Sequence, residues 1–346
     1  MLPQIILLLI IPTITVEDRI ITTVKYSTFR VAPTIVHGNP VLKGQIPFIV
    51  SIKEPLQKVS KKKKRWANLC GGSIISELKV LTAAHCFEGK HFYYANHPQE
   101  LRVVAGSLQN EIIHTGRTQT TDKAQWRSID KLTLHKEFQF PTNDIALIVV
   151  DAKFVFSKTV DYVIPATIKT DYPRTCIAAG FGQTSQSPQS PVSKELMWAD
   201  IYVLSRRQCD IWWEMSMDSF ICTNSQGTDV GGGDSGGPLT CYGTLDPKEK
   251  RGRDLLVGIV SGKNYDKTTL FTRVSAYKDW LQEGGCEKFG ASKFVVCSCL
   301  SITLFYIRLL ILFISRHLCV WVVYLLANPT SKLSKNVRFL TQLGTI

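Results

Sequence analysis

Apolar and polar positions along this chain alternate in short runs, not in long helical stripes. Residues 50–52, 72–75, 101–104, 145–150, 176–179 and 255–260 are short apolar or β-branched stretches, separated by clusters of Gly, Pro, Asn and Asp. Such runs fit pleated strands, and the residues between them are the ones that turns use. A 3.6-residue period shows only over residues 274–282, where Val274, Tyr277, Trp280 and Leu281 share one face. That spacing predicts a closing helix. Many short strands with one helix indicate an all-β protein built from barrels or a sandwich. There is no internal repeat.

The two ends depart from this texture. Residues 1–16 are almost entirely apolar and lead into Glu17-Asp18-Arg19, the length and flank of a secretory signal peptide, with a buried strand as the other reading. Residues 17–34 form a short polar segment, read as a propeptide, residues 35–286 the body, and residues 287–346 a tail. Residues 294–314 of the tail are mostly apolar, interrupted by Arg308 and followed by Arg316, His317, Lys332, Lys335 and Arg338. A membrane anchor is one reading of that stretch, since it is long enough to span a bilayer and a type I orientation would leave the positive charges inside. Against it, a charge within the span is costly. A disordered, cleaved or mistranslated tail is the other reading.

The 346 residues are 45% hydrophobic, enough for one large domain or two small ones with a substantial core. Ten cysteines in an exported chain imply disulfides. The net charge of +13 is localised: Lys61, Lys62, Lys63, Lys64 and Arg65 supply five charges, and the tail carries seven Lys or Arg against the single Glu287. The remainder is nearly neutral. Without a broad basic face, nucleic acid is excluded as the main partner. No His or Cys cluster has metal-ligand spacing, and no cofactor is expected.

Three segments carry chemistry, in the order His, Asp, Ser: Leu81-Thr82-Ala83-Ala84-His85-Cys86, Asn143-Asp144-Ile145-Ala146-Leu147 and Gly233-Asp234-Ser235-Gly236-Gly237-Pro238. A serine hydroxyl is a weak nucleophile at neutral pH and needs an adjacent base. An imidazole can take its proton and return it to a leaving amine, and a carboxylate can hold the imidazole in the required tautomer. Singly, each segment also reads as a glycine-rich turn, a core histidine or a strand-start aspartate. Together and in this order they resemble the trypsin/chymotrypsin family of serine proteases, over roughly residues 35–286.

The resemblance implies two packed antiparallel six-stranded β-barrels with a C-terminal helix. It implies His85 as general base, Asp144 as its orienting carboxylate, Ser235 as nucleophile, and the N–H groups of Gly233 and Ser235 as oxyanion donors. It also implies the disulfides Cys70–Cys86, Cys176–Cys241 and Cys209–Cys222. A further family bridge is absent on both sides: Gly231 stands where one Cys is expected, and none lies between Val260 and Phe271. Cleavage before Ile35-Val36 would free an amino group to pair with Asp234, although Thr34, not Arg or Lys, precedes that bond.

Asp229, six residues before Ser235, falls where trypsin-like members place the carboxylate at the base of the specificity pocket. With Val230, Ser261, Gly262 and Thr269 it forms the expected pocket, and a preference for Arg over Lys follows, with small apolar residues as the fallback. A threonine stands at 269 in place of the usual glycine, and Gly262-Lys263 follow Ser261 without the usual tryptophan. The substrate-binding strand therefore offers less aromatic surface. The run from Lys61 to Arg65 is a solvated loop tip or an exosite for an acidic partner, such as a substrate segment, a protein inhibitor or a polyanion. The expected protein is a secreted endopeptidase acting on protein substrates. The alternative is a protease homologue that is never activated and serves as a binding or regulatory protein.

Overall fold

The turn-bounded apolar runs do form strands. In a computed structural model of the chain, residues 35, 38–60, 63–114, 124–173, 175–183, 191–224, 227–264, 268–285, 287–288 and 295–296 are described. They fall in two units, Met1–Gly285 and Cys286–Ile346. The first contains β1 (Asn39–Pro40), β2 (Ile49–Ser60), β3 (Lys63–Ser76), β4 (Lys79–Thr82), β5 (Arg102–Ala105), β6 (Ile112–His114), β7 (Gln125–Leu134) and β8 (Ala146–Val150). It continues with β9 (Ile164–Pro165), β10 (Thr175–Gly180), β11 (Met197–Val203), β12 (Phe220–Asn224), β13 (Pro238–Cys241), β14 (Leu255–Lys263) and β15 (Thr269–Arg273).

Strand order resolves the choice between barrel and sandwich. The sequence β2-β5-β7-β8-β4-β3 returns to β2, with β6 added outside β3. The sequence β10-β13-β14-β15-β12-β11 returns to β10, with β1 flanking β11 and β9 lying parallel to β14. Two closed six-stranded antiparallel barrels result, and closure leaves no unpaired edge within either. Alternate side chains point inward. Val50, Ile52, Ile74, Val80, Val103 and Ile148 fill the first barrel, and Ala178, Ile201, Leu239, Val257 and Phe271 the second. Each large aliphatic or aromatic side chain so buried contributes roughly 1.5–3 kcal/mol of transfer free energy.

Two helices appear that apolar periodicity does not predict. In α1 (Gly89–Asn96), His91 and Phe92 have positive φ, and the segment carries no apolar stripe. The start of α2 (Arg206–Trp213) is legible in another way: Ser205 and Gln208 form a reciprocal capping box. The expected closing helix is a 3-10 turn, Val274–Tyr277, running into α3 (Lys278–Gln282). It packs Val274, Tyr277 and Trp280 into the first barrel's core. The chain therefore crosses back from the second barrel to brace the first.

All three expected disulfides are formed, Cys70–Cys86, Cys176–Cys241 and Cys209–Cys222. Each closes a loop long enough to stabilise the fold by about 3 kcal/mol in the chain-entropy account. At the distal end of the β2–β3 hairpin, Lys58 faces Lys64 and Ser60 faces Lys63, with Lys64 and Arg65 exposed. Lys61 and Lys62 lie outside the described residues, as do residues 1–34. In the second unit, β16 (Glu287–Lys288) pairs antiparallel with β17 (Val295–Val296). The rest of the stretch expected to anchor the chain, residues 294–314, lies outside the described residues. Among the described residues, no helix is long and apolar enough to cross a membrane.

Candidate active site

The register between β4 and β8 sets Thr82 opposite Ala146, so the residues just beyond that pair, His85 and Asp144, meet at one end of the first barrel. Asp144 is fully buried. Its Oδ1 accepts the His85 backbone N–H at 2.8 Å, and its Oδ2 accepts His85 Nδ1 at 2.7 Å and Ser261 Oγ at 2.5 Å. An ionised carboxylate can only accept, so Nδ1 carries the proton and Nε2 keeps its lone pair. Burial pulls the imidazole pKa down, but the charge and hydrogen bond of Asp144, aided by Glu88, outweigh it and raise the pKa above 6.5. Thr272 Oγ1 donates to the Asp144 carbonyl at 2.8 Å, and the Tyr277 hydroxyl donates to Asn143 Oδ1 at 3.0 Å. The first holds the aspartate's carbonyl from a strand of the second barrel, and the second holds the preceding side chain from the closing turn.

Ser235 is clamped through its backbone. Its carbonyl accepts the Gly71 N–H at 2.8 Å, and the next residue, Gly236, donates to Val260 at 2.9 Å. Gly71 follows Cys70, whose bridge to Cys86 adjoins His85, so one covalent frame holds the histidine and the strand that grips the serine. Among the described residues no hydrogen bond joins the Ser235 hydroxyl to His85. Contacts of this kind commonly tighten only with substrate bound.

The glycine turn before Ser235 is oriented from outside. The Gly232 carbonyl accepts the Gln183 N–H at 3.2 Å, which turns the Gly233 N–H of that trans peptide the opposite way. The Gly233 carbonyl accepts Asn68 Nδ2 at 2.9 Å. Gly233 has φ +98°, a conformation that glycine adopts without steric cost. Neither the Gly233 nor the Ser235 N–H has an internal acceptor among the described residues.

Asp234 points away from this turn and is fully buried. It accepts N–H groups from Gly182 at 2.8 Å and Gly231 at 2.9 Å, and a further one from Ile35. Ile35 itself is 1% exposed and packs in the second barrel's core. Burial pushes the Asp234 carboxyl up to about 7, against the pull of these three N–H donors.

Asp229, six residues before Ser235 in the chain, is also fully buried, and both its carboxylate oxygens have internal donors. Lys263 Nζ lies 2.5 Å from Oδ2, while Thr269 Oγ1 and the Val230 N–H donate to Oδ1 at 2.7 and 2.9 Å. Thr268, next to Thr269, accepts Trp213 Nε1 at 3.0 Å. Val230 is buried. At Gly262 there is no room for a side chain, because a Cβ would stand 2.8 Å from the Phe140 ring. That ring meets His85 edge-on, with centroids 5.6 Å apart.

Residues 35–281 match the family model described as Trypsin. The chain belongs to the trypsin family. It is 29% identical over 260 residues to chymotrypsin-C of Rattus norvegicus, covering 72% of this chain and 88% of the relative. It is 28% identical over 273 residues to the fibrinolytic enzyme, isozyme C, of Lumbricus rubellus, covering 71% of this chain and 98% of that one. The three disulfides fit the exported setting typical of this serine protease family.

Within this trypsin-family frame, several residues stand in unexpected roles. Ser261, expected in the pocket, spends its hydroxyl on Asp144. The aromatic surface missing from the substrate-binding strand is supplied from the other barrel, by Phe140 over Gly262. The walls that lack the family's fourth bridge are joined through Asp229 by Lys263 and Thr269. Asn68, Phe140, Thr272 and Lys263 are absent from the sequence-derived site. The only hint of Lys263 is a long cation in a strand position flanked by a glycine. Cys70, His85 and Cys86 place potential ligand atoms within 4.8 Å of one another, but both sulfurs are in the disulfide and bind no metal there.

Proposed function

We propose that the chain is a serine endopeptidase in which His85, Asp144 and Ser235 form the catalytic triad. The observation that carries this reading is the His85 Nδ1–Asp144 hydrogen bond of 2.7 Å beneath Ser261, which leaves Nε2 as a base. Nε2 takes the Ser235 hydroxyl proton as Oγ attacks the scissile carbonyl, and the carbonyl oxygen becomes an oxyanion held by the Gly233 and Ser235 N–H groups. The proton then passes to the leaving amine, which departs as an acyl-enzyme forms. Water, deprotonated by the same nitrogen, releases the second product. The test is fluorophosphonate labelling of the chain cut before Ile35, with Ser235 as the expected adduct site, together with turnover of fluorogenic peptides.

The base must be neutral to act, and its pKa lies above 6.5. Activity is therefore low while the imidazole is protonated and rises with pH through a midpoint above 6.5. A kcat/KM–pH profile with its acid limb at or below that value contradicts the Asp144 pairing.

Activation follows from Ile35. The buried N–H of Ile35 at Asp234 supports cleavage between Thr34 and Ile35, either by a protease that is not trypsin-like or by a cut after Arg30 and trimming. N-terminal sequencing of the active protein decides, and a fully active form that begins at Val31 excludes the Ile35–Asp234 pair. Thr34 also favours the second reading, an unactivated binding protein; absence of labelling after cleavage before Ile35 selects it.

Specificity is less simple than Asp229 alone implies. A preference for Arg needs a carboxylate free for the substrate, and here that carboxylate already has three internal donors. The fallback of small apolar residues fits better. The exposed Lys64 and Arg65 support an acidic macromolecular partner at the hairpin tip. Neutralising Lys61 to Arg65 should slow cleavage of an acidic protein at low salt and not at high salt, where screening already hides the charges. Equal rates for variant and wild type at low salt exclude the exosite.

A further inference from the structure

The primary pocket holds a cation of its own. Lys263 ends β14 directly opposite Thr269 of β15, and its side chain is only 9% exposed, against 0% for Asp229. The four-carbon stem therefore runs inward and occupies depth that a substrate side chain would need. Its ammonium sits 2.5 Å from the carboxylate, where the guanidinium or ammonium of an incoming Arg or Lys would have to lie. The other carboxylate oxygen is bonded to Thr269 and to the backbone of Val230. Thr269 is in turn fixed beside Thr268, which Trp213 anchors. A second cation entering here meets a like charge at a carboxylate that already accepts three internal donors, a costly encounter in a buried site.

We propose that Lys263 is a specificity-determining residue, an internal cation that takes the substrate's place at Asp229, so that the chain cleaves after small uncharged residues and not after Arg or Lys. This rests on the endopeptidase reading above. It extends that reading by giving Asp229 a partner and the substrate a chemical class. Ala, Ser, Thr and Val suit a pocket shortened by the lysine stem and by Thr269. The carboxylate neutralises the ammonium, so an acidic side chain gains no net attraction either.

The probes are benzamidine, a small planar cation, and peptides varied only at the residue before the scissile bond. Benzamidine binding is read by calorimetry on the chain cut before Ile35 and needs no turnover. Failure of catalysis, seen as no fluorophosphonate adduct, is thereby kept distinct from failure of the pocket assignment. The wild-type protein is expected not to bind benzamidine at millimolar concentration, and to cleave after Ala or Val at least 100-fold better than after Arg. Lys263→Gly is expected to bind benzamidine and to raise kcat/KM for Arg peptides at least 100-fold. Asp229→Ser combined with Lys263→Gly removes both charges. It should bind no benzamidine, which ties the gain in the single variant to the uncovered carboxylate. Where Lys263→Gly alone does not fold, the wild-type and double-variant measurements still decide. Benzamidine binding by the wild type, or wild-type preference for Arg or Lys, overturns the proposal. So does a folded Lys263→Gly protein with an unchanged profile.

Discussion

Ser235→Ala, in the chain cut before Ile35, is expected to lower kcat/KM by roughly six orders of magnitude. The size follows from the loss of the only atom placed to form the acyl-enzyme. The fold should not register the change. Ser235 is held through its carbonyl by Gly71 and through its neighbour Gly236 by Val260, and its hydroxyl has no partner among the described residues. The unfolding free energy should then stay within about 0.5 kcal/mol of wild type. His85→Ala should cost about as much, and the double variant little more, because the two groups act as one unit. Residual turnover of about 10³–10⁴ over water should persist in each, since the Gly233 and Ser235 N–H groups remain. Fluorogenic peptide kinetics and denaturant melts check both halves. A Ser235→Ala protein within a hundredfold of wild type excludes Ser235 as the nucleophile.

Asp234→Asn should have opposite effects on the two forms of the chain. Before cleavage, the Ile35 N–H at Asp234 is a neutral peptide group, and burial holds the carboxyl at about 7 against an ordinary 3.8. A raised carboxyl pKa means that the folded state disfavours the charge. Stability is greatest below the unfolded value, declines as pH rises from 3.8 toward about 7, and is level above it. The charging penalty is roughly 4 kcal/mol at pH 8. Asparagine removes the charging penalty, offset in part because its Nδ2 cannot accept one of the Gly182 and Gly231 N–H groups, so the uncut variant should still be more stable than uncut wild type at pH 8 and lose much of this pH dependence. After cleavage, Ile35 carries an ammonium at the same spot. Removing its carboxylate then strands a buried cation, at about 3–5 kcal/mol. The cut variant should lose about 10²–10⁴-fold in kcat/KM as the turn before Ser235 loses its support. Urea melts of both forms at pH 8 and peptide kinetics on the cut form test this. The same sign of stability change in both forms refutes the pairing.

The segments holding His85, Asp144 and Ser235 stood out in the sequence because the proposed chemistry restricts what can stand there: a nucleophile in a turn without side-chain bulk, a base and a carboxylate. Strand positions were legible for a similar reason, since inward-facing positions at 50–52 or 255–260 must be apolar. Barrel closure was not, because it depends on β2 pairing both β3 and β5, and periodicity carries no information about partners. The helix α1 escaped detection because it has no apolar stripe to betray it, whereas the cap of α2 offered a signal that apolar periodicity does not weigh. Lys263 was the largest omission. Its position follows from a register shift between Val260 and Gly262 in the β14–β15 pair, and one strand's residues do not encode such a shift. Phe140 was hidden likewise, since it serves the site from the opposite barrel.

The ion pair that joins the pocket walls also bears on how the domain reaches its native state. Residues 35–285 contain six cysteines, all of them paired. Six thiols allow about 15 complete pairings, whereas a fourth bridge would raise that to about 105. Counted within residues 35–285 alone, closing the pocket by charge leaves roughly sevenfold fewer complete pairings. It also lets the wall beside Asp229 form and reform without oxidant, while the covalent scaffold is still being sorted.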